Sequence, residues 1–139
     1  MKFTTSYTLS KEAIEIRENV FVHEQGFQEE FDEIDFYAAH IVLYIDNIPA
    51  ATCRFFESPL LKEYIIGRIA VLKPYRGQNF GSCLLAEAES EIKRAGGKFA
   101  RLHAQCQAIP FYKKQGYSVY GNIESDENCP HVWMQKKLK

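Results

Sequence analysis

Between Val71 and Gly97 the chain reads VLKPYRGQNFGSCLLAEAESEIKRAGG, a glycine-punctuated turn leading from an apolar segment into a long helical pattern. Arg76, Gly77, Gln78, Asn79 and Gly81 form that turn, and no acidic residue stands between Leu72 and Leu85. The first N–H groups of a helix have no partner inside it, and the macrodipole leaves about half a positive charge there. An anion such as a phosphate placed at that end accepts several N–H bonds at once. Gly77 and Gly81 let the backbone approach closely, and Asn79 tolerates left-handed backbone best among residues with a Cβ. Arg76 adds a fixed positive charge. Taken alone, the glycines also fit a tight strand-to-helix turn that binds nothing. A nucleotide P-loop is excluded because no Gly-Lys-Ser/Thr follows, and the GxGxxG dinucleotide fingerprint is absent.

The elements that must position this loop follow from hydrophobic periodicity. Leu9, Ala13, Ile16 and Val20 share one face, with Ser10 as N-cap, which predicts a first helix. Apolar and β-branched runs at residues 41–45 and 50–56, around Asp46, Asn47 and Pro49, predict a hairpin. Residues 63–72 predict a third, central strand. Residues 80–95 give the clearest helix, with Gly81, Leu84, Leu85, Ala88, Ile92 and Ala95 on one face and Gly96 and Gly97 stopping it. FARLHAQ predicts a further strand, and AIPFYKKQGY a short helix with Pro110 in its first turn and Gly116 at its end. Residues 117–120 and 132–135 predict the last two strands. The expected fold class is α/β: a mixed, mostly antiparallel sheet flanked by helices, with a right-handed strand–helix–strand crossover over residues 63–105.

Composition narrows the class. A length of 139 residues fits one domain, and 46% hydrophobic with 25% charged residues fits an ordinary globular chain. Seventeen basic against eighteen acidic residues give a net charge of -1, which offers no footprint for nucleic acid. No apolar run reaches membrane-spanning length, and the N-terminus MKFTTSYTLSKE lacks the apolar segment of a signal peptide. Cys53, Cys83, Cys106 and Cys129 are widely spaced, which predicts reduced cysteines, a cytoplasmic location and no metal site.

With RGQNFG between a strand and a helix, the chain resembles the GCN5-related N-acetyltransferase (GNAT) superfamily. That family's motif is Arg or Gln, two residues, Gly, one residue, then Gly or Ala. Arg76 and Gly81 match it, and Asn79 departs where the family usually has glycine. RIAVLKPYRG is similar to the family's fourth strand, and HAQCQAIPFYKKQGY to its fifth strand and following helix, with Ala108, Phe111, Tyr112, Gly116 and Tyr117 in register. IRENVFVHEQGFQEEFDEIDFYAAHIVLY and CPHVWMQKKL resemble a bacterial subgroup, the ElaA/YjcF-like acetyltransferases. The resemblance covers most of the chain and implies a single N-acetyltransferase domain over residues 1–139.

The resemblance implies an acetyl-CoA-dependent acyltransferase that moves an acetyl group to a primary amine of a small molecule or peptide by direct attack on the thioester. Cofactor-binding positions would be Ile69, Ala70, Val71, Arg76, Gly77, Gln78, Asn79, Gly81, Ser82, Gln105 and Phe111. Tyr112 would donate the proton to the departing thiolate; a phenol with pKa of about 10 is protonated at neutral pH. Packing as a core aromatic is the other reading of Tyr112. The family often carries a glutamate on the fourth strand before the Ala-Val pair, but here Gly67, Arg68 and Ile69 stand there. Glu24, His40 and His131 are candidate bases or acceptor-site residues, each equally compatible with a structural role. Glu29, Glu30, Asp32, Glu33 and Asp35 read as a solvated acidic loop, with attraction of a cationic amine as the alternative. Arg68 would pair with that cluster or with an acidic substrate. Two further readings stay open: a non-catalytic acyl-CoA-binding module, and an interaction domain that merely uses a glycine turn. A homodimer is compatible with exposed sheet edges.

Overall fold

The computed structural model describes residues 1–59 and 63–139. In chain order the regular elements are β1 (Lys2–Ser6), α1 (Lys11–Arg17), β2 (Ala39–Ile45), β3 (Ile48–Glu57), β4 (Glu63–Val71), α2 (Phe80–Arg94), β5 (Phe99–Gln105), α3 (Ile109–Lys114), β6 (Ser118–Asp126) and β7 (Cys129–Lys137). The strands follow the order β1-β2-β3-β4-β5-β7-β6 in one sheet. β4 and β5 run parallel, as a strand–helix–strand crossover through α2 requires, whereas β1–β2, β2–β3, β5–β7 and β6–β7 are antiparallel. The expected α/β class, with a mixed and mostly antiparallel sheet, is therefore the observed one. By contact density the chain divides into two compact units: Met1–Phe56 with Ile66–Ala88, and Glu57–Ile65 with Glu89–Lys139.

In the first unit, Ser10 caps α1 by accepting the Ala13 N–H at 3.1 Å. Ala13, Ile16, Val20, Phe21, Val42 and Ala70 form a buried cluster, with Leu9, Phe27, Tyr44 and Leu72 packed against it. The predicted apolar face of the first helix is thus the face that is buried. The helix does not stay α-helical, however: Glu18–Glu24 widens into a π-helical segment, in which the Gln25 N–H reaches the Val20 carbonyl. The hairpin turn is the pair Asp46 and Asn47, at φ 51° and 66°. Pro49, expected in that turn, lies inside β3 beside a register shift at Leu43/Tyr44. β1 has no counterpart among the expected elements; it pairs with β2 from Lys2↔Tyr44 to Ser6↔His40.

In the second unit, Ala100, Leu102, Ala104, Val132 and Met134 are buried, in step with the period-2 alternation of β5 and β7. α2 ends as expected: the Gly96 N–H bonds the Lys93 carbonyl and the Gly97 N–H bonds the Ile92 carbonyl, which is a Schellman closure. Ala95 falls beyond the helix end and is exposed, so the apolar face stops at Ile92. A Cβ on Gly97 would lie 2.4 Å from Ile92 Cγ2 and 2.7 Å from the Tyr64 ring, so close approach dictates glycine there. β6 and β7 are longer than predicted and are joined at Glu127 and Asn128, both with positive φ.

Candidate active site

The loop before α2 is built as its residue types demand. Leu72 leaves β4 in extended backbone, and Lys73–Tyr75 makes one 3-10 turn with Pro74 near its start. Gly77 and Asn79 then adopt φ 76° and 66°. Asn79 therefore takes the left-handed position that the family usually gives to glycine, at the strain expected of a residue with a Cβ. Its carbonyl accepts the Cys83 N–H at 3.2 Å and the Ser82 hydroxyl at 2.9 Å, which starts the helix. The N–H groups of Phe80, Gly81 and Ser82 occupy the first turn of a 15-residue helix with no acidic residue there, the positive end of its dipole.

The charge of Arg76 is not simply offered to solvent. Its Nη1 and Nη2 form a two-pronged pair with Glu24 at 2.5 and 2.7 Å, and its Nε donates to the Val71 carbonyl at 2.8 Å. The pair draws the Glu24 pKa down, through the Arg76 bond, and Arg76 upward. Glu24, weighed as a base, is thus the partner of the loop arginine. The arrangement pins the loop to the π-helical segment, and both side chains stay more than a third exposed.

β4 carries the sharpest backbone irregularity. Arg68, in the middle of the strand, has φ 52°. Its Nε lies 3.0 Å from both the carbonyl and the Oε2 of Glu30, and its Nη2 lies 3.4 Å from Asp32 Oδ2. Arg68 therefore pairs with the acidic cluster, one of its two expected roles. Glu29, Asp32 and Glu33 of the cluster are exposed, as expected of a solvated loop, whereas Glu30 and Asp35 are not. Glu30 and Asp35 are both 5% exposed, and Arg17, on α1, is 1% exposed between them. Arg17 donates Nε to Glu30 Oε2 and Nη1 to Asp35 Oδ1, each at 2.8 Å. Arg54, on β3, bonds Asp32 at 2.6 Å and Asp35 at 2.9 Å. Three guanidiniums thus meet three carboxylates, and the reason is elementary: buried cations force buried anions beside them.

The electrostatics follow the geometry. Burial alone would raise the Asp35 pKa, but bonds from Arg17, the Asp32 N–H and Arg54 lower it to about 2. Burial dominates at Glu30 and pushes its pKa up despite Arg68, Arg17 and Arg54. His40 sits at the start of β2, and its Nε2 donates to the Asp35 carbonyl at 3.0 Å. Burial lowers its pKa, so the imidazole is neutral and committed to the network. A cavity of about 400 Å³ lies beside this network, lined by Leu9, Ile14, Phe31, Asp32, Asp35 and Phe36.

In the second unit, Tyr112 is buried on α3, edge-on to Phe111 at 5.1 Å and to Tyr117 at 6.1 Å. Gln105 ends β5 opposite His131 of β7. His131 Nδ1 donates to the Cys129 carbonyl at 2.9 Å. His103 stacks on Trp133 at 4.7 Å and approaches the His131 ring at 4.9 Å, and its pKa is lowered by burial and by His131.

The first unit brings together Glu24, Arg68, Arg76, Gly77, Gln78, Asn79, Gly81 and Ser82, with Ile69, Ala70 and Val71 on β4; the second holds Gln105, Phe111, Tyr112 and His131. Sequence reasoning missed Arg17, Arg54, His103 and Trp133. Two of these carried a usable signal: Arg17 falls in the apolar face of a helix and Arg54 in the run AATCRFFE, where a cation demands an anionic partner.

Comparison with known proteins agrees with the architecture. The family described as acetyltransferase (GNAT) domain matches residues 6–138. The uncharacterized N-acetyltransferase YjcF of Bacillus subtilis is 36% identical over 129 residues, covering 91% of each chain. Among solved structures, Escherichia coli ElaA superposes with a TM-score of 0.86 at 23% identity, over 97% of this chain and 98% of that one. An aminoglycoside 6'-N-acetyltransferase in complex with coenzyme A reaches 0.75 at 13% identity, over 100% and 98%. The chain belongs to the GNAT acetyltransferase family and is an acyltransferase.

Proposed function

We propose that the chain transfers an acetyl group from acetyl-CoA to a primary amine of a small molecule or peptide, by direct attack of the amine on the thioester. One observation carries this reading: two left-handed residues, Gly77 and Asn79, open the N-terminus of a 15-residue helix without an acidic residue. That end suits a pyrophosphate, with the N–H groups of residues 76–82 as donors. The backbone of Ile69, Ala70 and Val71 is the segment for the pantetheine arm, and a backbone N–H beside Val71 would stabilise the carbonyl oxyanion. Gln105 and Phe111 would line the remainder of the cofactor.

Tyr112 is the proposed proton donor to the thiolate. An alkylammonium acceptor has a pKa of about 10.4 and must lose a proton before it attacks. Of the four side chains weighed for the acceptor site, Glu24, His40 and Arg68 are held by Arg76, Asp35 and Glu30 respectively. His131, opposite Gln105 in the β5–β7 register, is the proposed proton acceptor. The cavity beside Asp32 provides room for an amine with an apolar body.

Thermal unfolding with and without acetyl-CoA tests the reading. Ligand at about a hundred times its dissociation constant adds roughly 2.7 kcal/mol, several degrees for a domain of this size. An upward shift followed by thiol release against a panel of amines is the expected result. No shift at millimolar acetyl-CoA would remove the loop from cofactor binding.

A further inference from the structure

We propose that Glu30 is a positioning residue for acetyl transfer, which holds Arg68 in its left-handed conformation and thereby sets the course of the β4 backbone through Ile69, Ala70 and Val71. This inference rests on the acyl-transfer reading of that backbone. Two oxygens of Glu30 each bridge the same pair of guanidiniums. The carboxylate Oε2 lies 2.8 Å from Arg17 Nε and 3.0 Å from Arg68 Nε. The Glu30 carbonyl lies 3.0 Å from Arg17 Nη2 and 3.0 Å from Arg68 Nε. Arg17 is itself immobilised, since Asp35 takes its Nη1 and Nη2 at 2.8 and 3.1 Å. Glu30 is therefore a fixed anchor, and Arg68 hangs from it.

The anchor matters because of what Arg68 does in the backbone. It takes φ 52° within a strand, where its Cβ crowds the following carbonyl, and it is neither Gly, Asn nor Asp. Such a residue keeps that conformation only when its surroundings over-determine it. The three residues that follow are the strand segment assigned to the cofactor arm and oxyanion. A bend at Arg68 sets where their N–H and C=O groups point, and such donors act only when held close to the productive geometry. Glu30 touches no reacting atom in this scheme; it acts through Arg68.

Four forms of the full chain test it: Arg68→Gly, Arg68→Ala, Glu30→Gln, and the double form with Glu30→Gln and Arg68→Gly. The readouts are thiol release from acetyl-CoA with ethylamine in excess, KM and kcat separately, and coenzyme A affinity by calorimetry. Glycine holds positive φ without a Cβ penalty. Arg68→Gly is therefore expected to retain roughly tenfold more kcat than Arg68→Ala, at equal coenzyme A affinity in the two forms. Glu30→Gln is expected to lower kcat roughly tenfold with KM preserved, and to add nothing in the Arg68→Gly background. Equal kcat for the Gly and Ala forms, or a Glu30→Gln loss that persists beside Arg68→Gly, overturns the proposal. If the unsubstituted chain releases no thiol, the acyl-transfer reading fails instead. The same forms then decide the anchor by thermal unfolding without ligand. Arg68→Ala melting below Arg68→Gly, with a smaller Glu30→Gln effect beside Arg68→Gly, supports it, and strict additivity refutes it.

Discussion

Replacing Asp35 by asparagine removes one charge from the centre of the ionic network while changing little in size. Its carboxylate accepts from Arg17 at 2.8 and 3.1 Å, from Arg54 at 2.9 Å and from the Asp32 N–H at 3.1 Å. Folding lowers its pKa from 3.8 to about 2. Each pKa unit corresponds to about 1.4 kcal/mol, so the ionised form contributes about 2.5 kcal/mol relative to the protonated one. Asparagine also turns an N–H₂ donor toward guanidinium donors, and breaking a buried pair costs about 3–5 kcal/mol. A loss of about 3 kcal/mol at pH 7 is therefore expected. The sign with pH follows from the direction of the shift. The folded pKa lies below the unfolded one, so the stabilisation is complete above about pH 4 and disappears as pH falls toward 2. The asparagine form lacks this titration, so the gap between the two forms should close by about 2 kcal/mol between pH 5 and pH 2. Urea unfolding followed by far-UV circular dichroism at several pH values measures the gap. A gap below about 1 kcal/mol at pH 7, or one that stays constant down to pH 2, refutes the reasoning.

Other substitutions probe separate links. Gly97→Ala places a Cβ 2.4 Å from Ile92 Cγ2, and overpacking there should cost about 1–3 kcal/mol by denaturant unfolding. Ser10→Ala removes the acceptor for the Ala13 N–H and should cost about 1 kcal/mol, with no effect on coenzyme A affinity. At φ 66°, Asn79→Ala should lose about 1 kcal/mol whereas Asn79→Gly should not, as thermal unfolding would report. Tyr112→Phe should lower kcat for thiol release by at least tenfold while acetyl-CoA affinity is kept; equal loss of both would leave Tyr112 as packing alone.

The sequence foretold those parts of the fold whose signal is local. The α2 face, the Ser10 cap, the Gly96–Gly97 stop and the left-handed Asn79 each depend on residues within a few positions of one another. β1 escaped because KFTTS offers one large apolar side chain, and its partner strand lies some forty residues away. The Glu18–Glu24 widening escaped because the predicted apolar face ends at Val20, only the third residue of that segment. Of the site, the phosphate-type loop was legible in its glycines, but the fate of Arg76 was not, since its partner Glu24 is 52 residues distant. The burial of Glu30 and Asp35 within the acidic segment was illegible for the same reason. Residues 29–35 look like a solvated loop until Arg17, Arg54 and Arg68 arrive from three other elements.

The same segment bears on why a small domain would bury four charges, Arg17, Glu30, Asp35 and Arg54. Apolar side chains of similar volume would often give equal or greater stability, so the network is weak grounds for a stability role. Apolar contacts, however, have no direction, and a strained strand residue needs contacts that do. Each guanidinium here is gripped on more than one edge, which fixes its orientation as well as its position. Because the charges balance three against three, the network imposes that orientation at no formal net charge. On the proposal made for Glu30, burying Arg17, Arg54, Glu30 and Asp35 serves to hold one backbone angle, at Arg68, in a region that an apolar core would let relax.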